Sequence, residues 1–155
     1  MYQKILVPLD GSELAECVLP HVEAIAKGCE VKNVAFLRVV EPFQAPSGEA
    51  RSIFTNEDVK RIDSENKATA ESYLNQLVNR TKYDGVNVQA EMISGGAADS
   101  IAEYATKNGV DLITIATHGR SGVSRWVWGS IADRILRSSC VPVLMVRAPG
   151  CVPGI

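Results

Sequence analysis

Apolar runs and amphipathic segments alternate along this chain from one end to the other. Lys4 to Leu9 is almost continuously apolar, the signature of a strand covered on both faces. From Ser12 to Lys27, Leu14, Val18, Val22 and Ile25 recur at helical spacing, and Gly28 closes the pattern. Pro20 sits inside that pattern and predicts a kink, or an unpaired carbonyl near Glu16. Val31 to Val40 reads as a second strand. Pro42 to Asn56, carrying Pro42, Pro46, Ser47 and Gly48, reads as a surface loop. Glu57 to Lys82 is a long helix, with Val59, Ile62, Tyr73, Leu74, Leu77 and Val78 available for its inner face.

The second half of the chain continues the alternation with different textures. Val86, Val88, Ala90 and Met92 alternate with Asn87, Gln89 and Glu91, so this third strand has one wet face and belongs at a sheet edge. Ala98 to Lys107 is a helix closed by Asn108-Gly109. Leu112 to Ala116 is apolar without alternation and reads as a central strand. Ser130 to Ser139 is the last helix, with Ile131, Ile135 and Leu136 expected inward, and Val141 to Val146 is the last strand. The order βαβαβαβαβ predicts an α/β fold: an open parallel sheet with helices on both faces. No repeat or linker divides it. One domain is expected over residues 1–147, followed by a loose tail at 148–155 with two prolines and two glycines.

Composition narrows the function classes. The chain has 155 residues, 46% hydrophobic and 22% charged, which suits a globular domain with its own core. Its net charge of −2 supplies no electrostatic attraction for nucleic acid or a membrane surface. No window approaches the ~20 apolar residues of a membrane span, and the amino-terminal segment lacks a signal peptide's apolar core. A cytoplasmic protein is therefore expected. Cys17, Cys29, Cys140 and Cys151 form no Cys-x-x-Cys pair, and the two histidines are not spaced to complete a zinc site; the thiols read as buried or incidental.

In a doubly wound sheet the ligand lies beyond the carboxyl ends of the strands, where strand order reverses. Two segments stand out there: Val7-Pro8-Leu9-Asp10-Gly11-Ser12, and the glycine-rich stretch 116–130. If strands one and four are neighbours, both face one crevice. Asp10 can accept a hydrogen bond from a base amine or sugar hydroxyl, ligate a metal, or simply cap the following helix. Gly119 and Gly122 free the backbone for close approach to phosphate oxygens. Gly129 and Ser130 open the last helix, whose unsatisfied N–H groups and dipole favour anions. Arg120 and Arg125 can neutralise phosphate or stay solvated, and Trp126 and Trp128 can close over a ligand or pack against a neighbour. His118 lies beside the glycines, with no nucleophile and orienting acid assignable to it. A P-loop and a Gly-x-Gly-x-x-Gly turn are both missing.

These residues resemble the universal stress protein family, in its ATP-binding branch. That branch carries Gly-x2-Gly-x9-Gly-Ser/Thr, and the positions fall on Ala116, Gly119, Gly129 and Ser130. The segments Ile5 to Ser12, Thr117 to Gly122 and Cys140 to Val146 share the likeness, which spans residues 2 to about 147. One position departs: alanine replaces the first motif glycine at Ala116. Its methyl crowds the ribose or triphosphate, or is harmless if φ there is negative.

The resemblance implies a five-stranded parallel sheet in order 3-2-1-4-5, the adenine nucleotide alpha hydrolase-like fold. It implies that Pro8 and Asp10 touch the base and ribose region and that the Val39 backbone reads the adenine edge. Gly119, Gly129 and Ser130 would then hold the phosphates; Leu9, Ala116, His118, Arg120, Gly122 and Ile131 complete the expected nucleotide-binding set, and Asp10 is a candidate Mg²⁺ ligand. It also implies a homodimer through strand 141–146, which would hide an open edge. The expected function is a nucleotide-dependent regulatory stress protein that binds ATP or another adenine nucleotide and signals to an unidentified protein partner. Two alternatives stand beside it: a slow Mg²⁺-dependent ATP hydrolase, handicapped by the missing general base and P-loop lysine, and an interaction module that has lost its nucleotide.

Overall fold

The structure, a computed structural model, describes residues 1–117 and 129–149. Five strands, β1 (Lys4–Pro8), β2 (Asn33–Val40), β3 (Asn87–Ser94), β4 (Leu112–Ala116) and β5 (Val143–Val146), form one parallel sheet in the order β3-β2-β1-β4-β5. Four α-helices lie among the described residues: α1 (Leu19–Gly28), α2 (Asn56–Arg80), α3 (Ala97–Lys107) and α4 (Ser130–Ser138). Because side chains alternate across each strand, the sheet feeds two cores. Ile5, Val7, Val34, Phe36 and Leu112 pack against α1 and α2, meeting Val22, Leu74 and Leu77. Leu6, Ala35, Leu37, Ile113 and Ile115 pack against α3 and α4, meeting Ile101, Ala105, Ala132 and Ile135. Residues 5–7 of β1 are completely buried, which is why that strand reads as an unbroken apolar run.

The helix expected over Ser12–Lys27 is shorter. Its first part is a turn followed by a 3-10 segment, Ala15–Val18, and the α-helix begins at Leu19. Pro20 falls in the first turn of α1, where its missing N–H has no intrahelical role. The carbonyl of Glu16 accepts from the Leu19 N–H, so it is not left unpaired. The long helix α2 starts on a capping box that was not expected. Thr55 Oγ1 accepts from the Asp58 N–H at 3.1 Å, and Asp58 Oδ2 accepts from the Thr55 N–H at 2.9 Å. The loop before it contains a short 3-10 segment, Glu49–Ile53.

At the sheet edges, β3 pairs with β2 alone among the described residues, as its alternation predicts. Its polar face is less wet than expected, because Gln89 and Glu91 are half-buried on the α3 side, where Glu91 meets the Tyr104 hydroxyl. The last strand begins at Val143, not Val141. Helix α4 turns Ala132 and Ile135 inward, whereas Ile131 and Leu136 are 42% and 49% exposed, against the expectation that both point to the core. In a helix this short the two inward residues define the seam, and their neighbours at 131 and 136 flank it.

Candidate functional site

The pairing of β1 with β4 covers only two residue pairs, Ile5↔Leu112 and Leu6↔Ile113, whereas β1 pairs with β2 over five. Beyond Leu6 and Ile113 the chain continues on both strands without that ladder. There, at the carboxyl ends of β1, β2 and β4, lies a cavity of about 500 Å³. That size falls within the roughly 300–1,000 Å³ of small-molecule sites. Strand order reverses between β1 and β4, so topology and cavity coincide.

Apolar walls come from Pro8, Leu9, Val39, Val40, Ile101 and Ile115. Asp10 stands at the exit of β1 in a tight turn: Ser12 donates its N–H (2.9 Å) and its hydroxyl (2.6 Å) to Asp10 Oδ1, and Ser12 Oγ in turn accepts from the Ala15 N–H at 3.2 Å. This is an Asx turn, which orders the chain that leads to α1, and Asp10 lines the cavity. Gly11 makes the turn possible. Its φ of +85° is strained for any other residue, and a Cβ there would lie 3.3 Å from Nη1 of Arg38, a residue that also lines the cavity.

The other side of the cavity is the start of α4. Gly129 is the N-cap and has no side chain to cap the first amides, and Gly129, Ser130, Ile131 and Ala132 all line the cavity. The first amides of a helix and the positive end of its dipole make such a wall receptive to an anion. Ala116 lies in extended backbone at the end of β4, paired with Val146, and is 8% exposed. The only non-glycine residue with positive φ among those described is Glu30, so the alanine carries no backbone strain.

Helix α2 is anchored beside the site by a second cluster. Tyr73 donates its hydroxyl to Glu16 Oε1 at 3.0 Å, and Arg80 pairs with Glu16 Oε2. Burial, reinforced by the adjacent Glu16 carboxylate, pushes the Tyr73 phenol well above its ordinary range. The cluster holds α2 on the Ala15–Val18 turn, and α2 in turn brings Asn66 and Thr69 to the rim of the cavity.

Of the residues singled out in the sequence, Pro8, Leu9, Asp10, Val39, Ala116, Gly129, Ser130 and Ile131 line this one cavity. His118, Gly119, Arg120 and Gly122, with Arg125, Trp126 and Trp128, lie outside the described residues. Sequence reasoning missed Arg38, Glu41, Asn66, Thr69, Ala97 and Thr117, which also line the cavity. Arg38 carried a signal, as the one charge within the otherwise apolar run Val34 to Val40. Asn66 and Thr69 carried none, because a solvated helix face looks the same whether or not a cavity opens beside it. No group of three or more His, Cys, Asp or Glu side chains converges among the described residues. No helix among the described residues is long and apolar enough to cross a membrane.

Known proteins share both the sequence pattern and the architecture. The family model described as "Universal stress protein family" matches residues 1–147. Universal stress protein MJ0531 of Methanocaldococcus jannaschii is 31% identical over 150 residues, covering 96% of this chain and 84% of that protein. Universal stress protein MJ0577 of the same organism is 29% identical, covering 95% of this chain and 96% of its own length. The solved structure of MJ0577 aligns with a TM-score of 0.74 over 97% of this chain and 99% of that one. An Arabidopsis thaliana universal stress protein family structure with AMP bound is 18% identical and shares the fold, with a TM-score of 0.65 over 96% of this chain and 93% of that one. With the 3-2-1-4-5 sheet, the cavity at its reversal point and a family match along nearly the whole chain, this protein belongs to the universal stress protein family.

Proposed function

We propose that the crevice binds an adenine nucleotide, ATP or a shorter adenylate, and that the chain acts in the cytoplasm as a homodimer whose state depends on that nucleotide. The observation that carries this reading is the cavity itself: apolar walls on the β2 and α3 side, Asp10 at the end of β1, and the glycine-capped start of α4 on the β4 side. The base would lie along the Val39–Val40 wall, Asp10 would accept from ribose hydroxyls or hold Mg²⁺, and the amides of Gly129 to Ile131 would take phosphate oxygens. The family member from Arabidopsis that has AMP bound shares this architecture and supports the reading.

Hydrogen bonds to a charged phosphate contribute about 1.5–3 kcal/mol each. Burial of the base adds roughly 25 cal/mol per Å² of apolar surface, and both terms act against the cost of association. Assembly through residues 141–146 would cover the free edge of β5, whose Val143, Leu144 and Met145 are only half-buried.

Calorimetric titration with ATP, ADP and AMP tests the site, and sedimentation velocity tests the dimer. Micromolar binding that collapses in Gly129→Val is expected, because the branched side chain blocks approach to the α4 amides. A protein that neither carries nor binds any adenine nucleotide would return the function to an interaction module. Magnesium-dependent phosphate release abolished by Asp10→Ala would instead make it a hydrolase.

A further inference from the structure

The cavity wraps over the carboxyl ends of the strands, and its two sides differ in chemistry. Val39, Ile115 and Ala132 belong to the core under α3 and α4. Val34 and Phe36 belong to the opposite core, under α1 and α2, and the two-residue period of β2 places Arg38 on that same face. Arg38 lines the cavity there with Ala15, Asn66 and Thr69. Helical spacing accounts for the last two. Positions 66, 69, 70 and 73 form one stripe of α2, in which Ala70 is buried and Tyr73 is tied to Glu16. Arg38 is half-buried, with Nε shut off from solvent, and its guanidinium stands against Gly11, in the turn that carries Asp10. A carboxylate and a guanidinium therefore flank one turn, and each offsets the field of the other there.

With the base on the Val39 wall and the 5′-phosphate at the start of α4, the ribose falls at the strand ends, between those groups and Arg38. We propose that Arg38 forms a second anion subsite on the α2 side of the ribose, and that the preferred ligand is an adenylate carrying a further phosphate on its 2′- or 3′-hydroxyl. This rests on the nucleotide reading above and deepens it. A guanidinium presents five N–H donors in a planar fork, so it can grip a phosphate while still serving an acceptor of the protein. The Asn66 side-chain amide adds a donor at the rim, whereas the Thr69 hydroxyl already donates to the Glu65 carbonyl at 2.9 Å. In dinucleotide-binding sheets an acidic residue takes the ribose hydroxyl, and an arginine beside it accommodates a ribose phosphate. Here both residue types meet at the exit of β1. Because Arg38 is half-buried, water moderates the gain from the added phosphate to about 10-fold.

Calorimetry on the whole protein compares AMP with adenosine 2′,5′-bisphosphate and adenosine 3′,5′-bisphosphate, for wild type, Arg38→Gln and Arg38→Lys. Wild type should bind at least one bisphosphate about 10-fold more tightly than AMP, and the one it prefers identifies the hydroxyl that faces Arg38. Arg38→Gln should bring that ratio near one. Arg38→Lys, which keeps the charge but not the fork, should retain part of it. A role confined to supporting the Gly11 turn would weaken AMP and the bisphosphates together and leave the ratio as it was. That result, or a wild type that binds both bisphosphates no better than AMP, overturns the inference while leaving nucleotide binding in place. The wild-type comparison depends on no variant folding, and thermal unfolding of each variant confirms that folded protein is being compared. Failure of wild type to bind AMP and both bisphosphates overturns the nucleotide reading and this inference with it.

Discussion

Asp111 offers the sharpest test of how the crevice is held together. It precedes β4, and its carboxylate Oδ2 accepts from the backbone N–H groups of both Gln3 (2.7 Å) and Lys4 (2.8 Å), while its own N–H donates to the Lys4 carbonyl at 2.9 Å. These bonds clamp the amino ends of β1 and β4, the strand pair with only two ladder positions and with the cavity beyond its other end. Asp111→Ala removes two charge-assisted bonds. In a dry site each would contribute about 1.5–3 kcal/mol. The Gln3 bond is exposed and the Lys4 bond part-buried, so solvent screening reduces the first to a few tenths and leaves an expected total of about 2 kcal/mol. For a domain of this size that corresponds to roughly 4–8 °C in Tm. Asp111→Asn retains an uncharged acceptor and should lose about half as much. Urea unfolding with an unchanged m-value is the assay. A loss below about 0.5 kcal/mol in Asp111→Ala, the range of an ordinary surface substitution, would refute the clamp.

Other expectations follow from single contacts. Gly11→Ala must hold a left-handed φ and press on the Arg38 guanidinium, so it should cost about 1–2 kcal/mol in denaturant titration and weaken nucleotide binding in calorimetry. Thr55→Ala removes one half of the α2 capping box; a loss of about 1 kcal/mol is expected, with amide exchange accelerated in the first turn of that helix. At alkaline pH the Tyr83 phenol, half-buried and donating to the Leu19 carbonyl, is pushed up to about 12 by burial, with Glu23 adding to it. The folded state then holds a proton that the unfolded state has lost, so stability should fall between pH 10 and 12, and Tyr83→Phe should flatten that slope. A slope identical in the variant would show that the phenol titrates as freely in the folded chain as in the unfolded one.

The sheet was legible because burial on both faces leaves a strong mark: Ile5 to Val7 and Leu112 to Ile115 admit no polar residue apart from the buried Thr114, and the alternation of Val86 to Met92 marks an edge. Element boundaries were less legible. Leu14 and Val18 have helical spacing, yet the Asx turn at Asp10 and the proline at position 20 delay α1 to Leu19. Ile131 and Leu136 looked like core residues because apolar character does not say which neighbours a helix will meet. The glycine and carboxylate signals at Asp10, Gly129 and Ser130 could be read directly, since close backbone approach and a helix start require particular residue types.

Alternating patterns of two and 3.6 residues, with glycines at the turns, were enough to specify parallel strands, covering helices and a helix start at the strand ends, because local chemistry dictates each. Only the folded chain could decide that Glu41 reaches the amide of Ala97, that Arg38 lies against Gly11, and that Asn66 and Thr69 border the same hollow. Those meetings join residues far apart in the chain, and they depend on the packing angle of whole helices against the sheet. Neighbouring residues in the sequence carry no record of that angle.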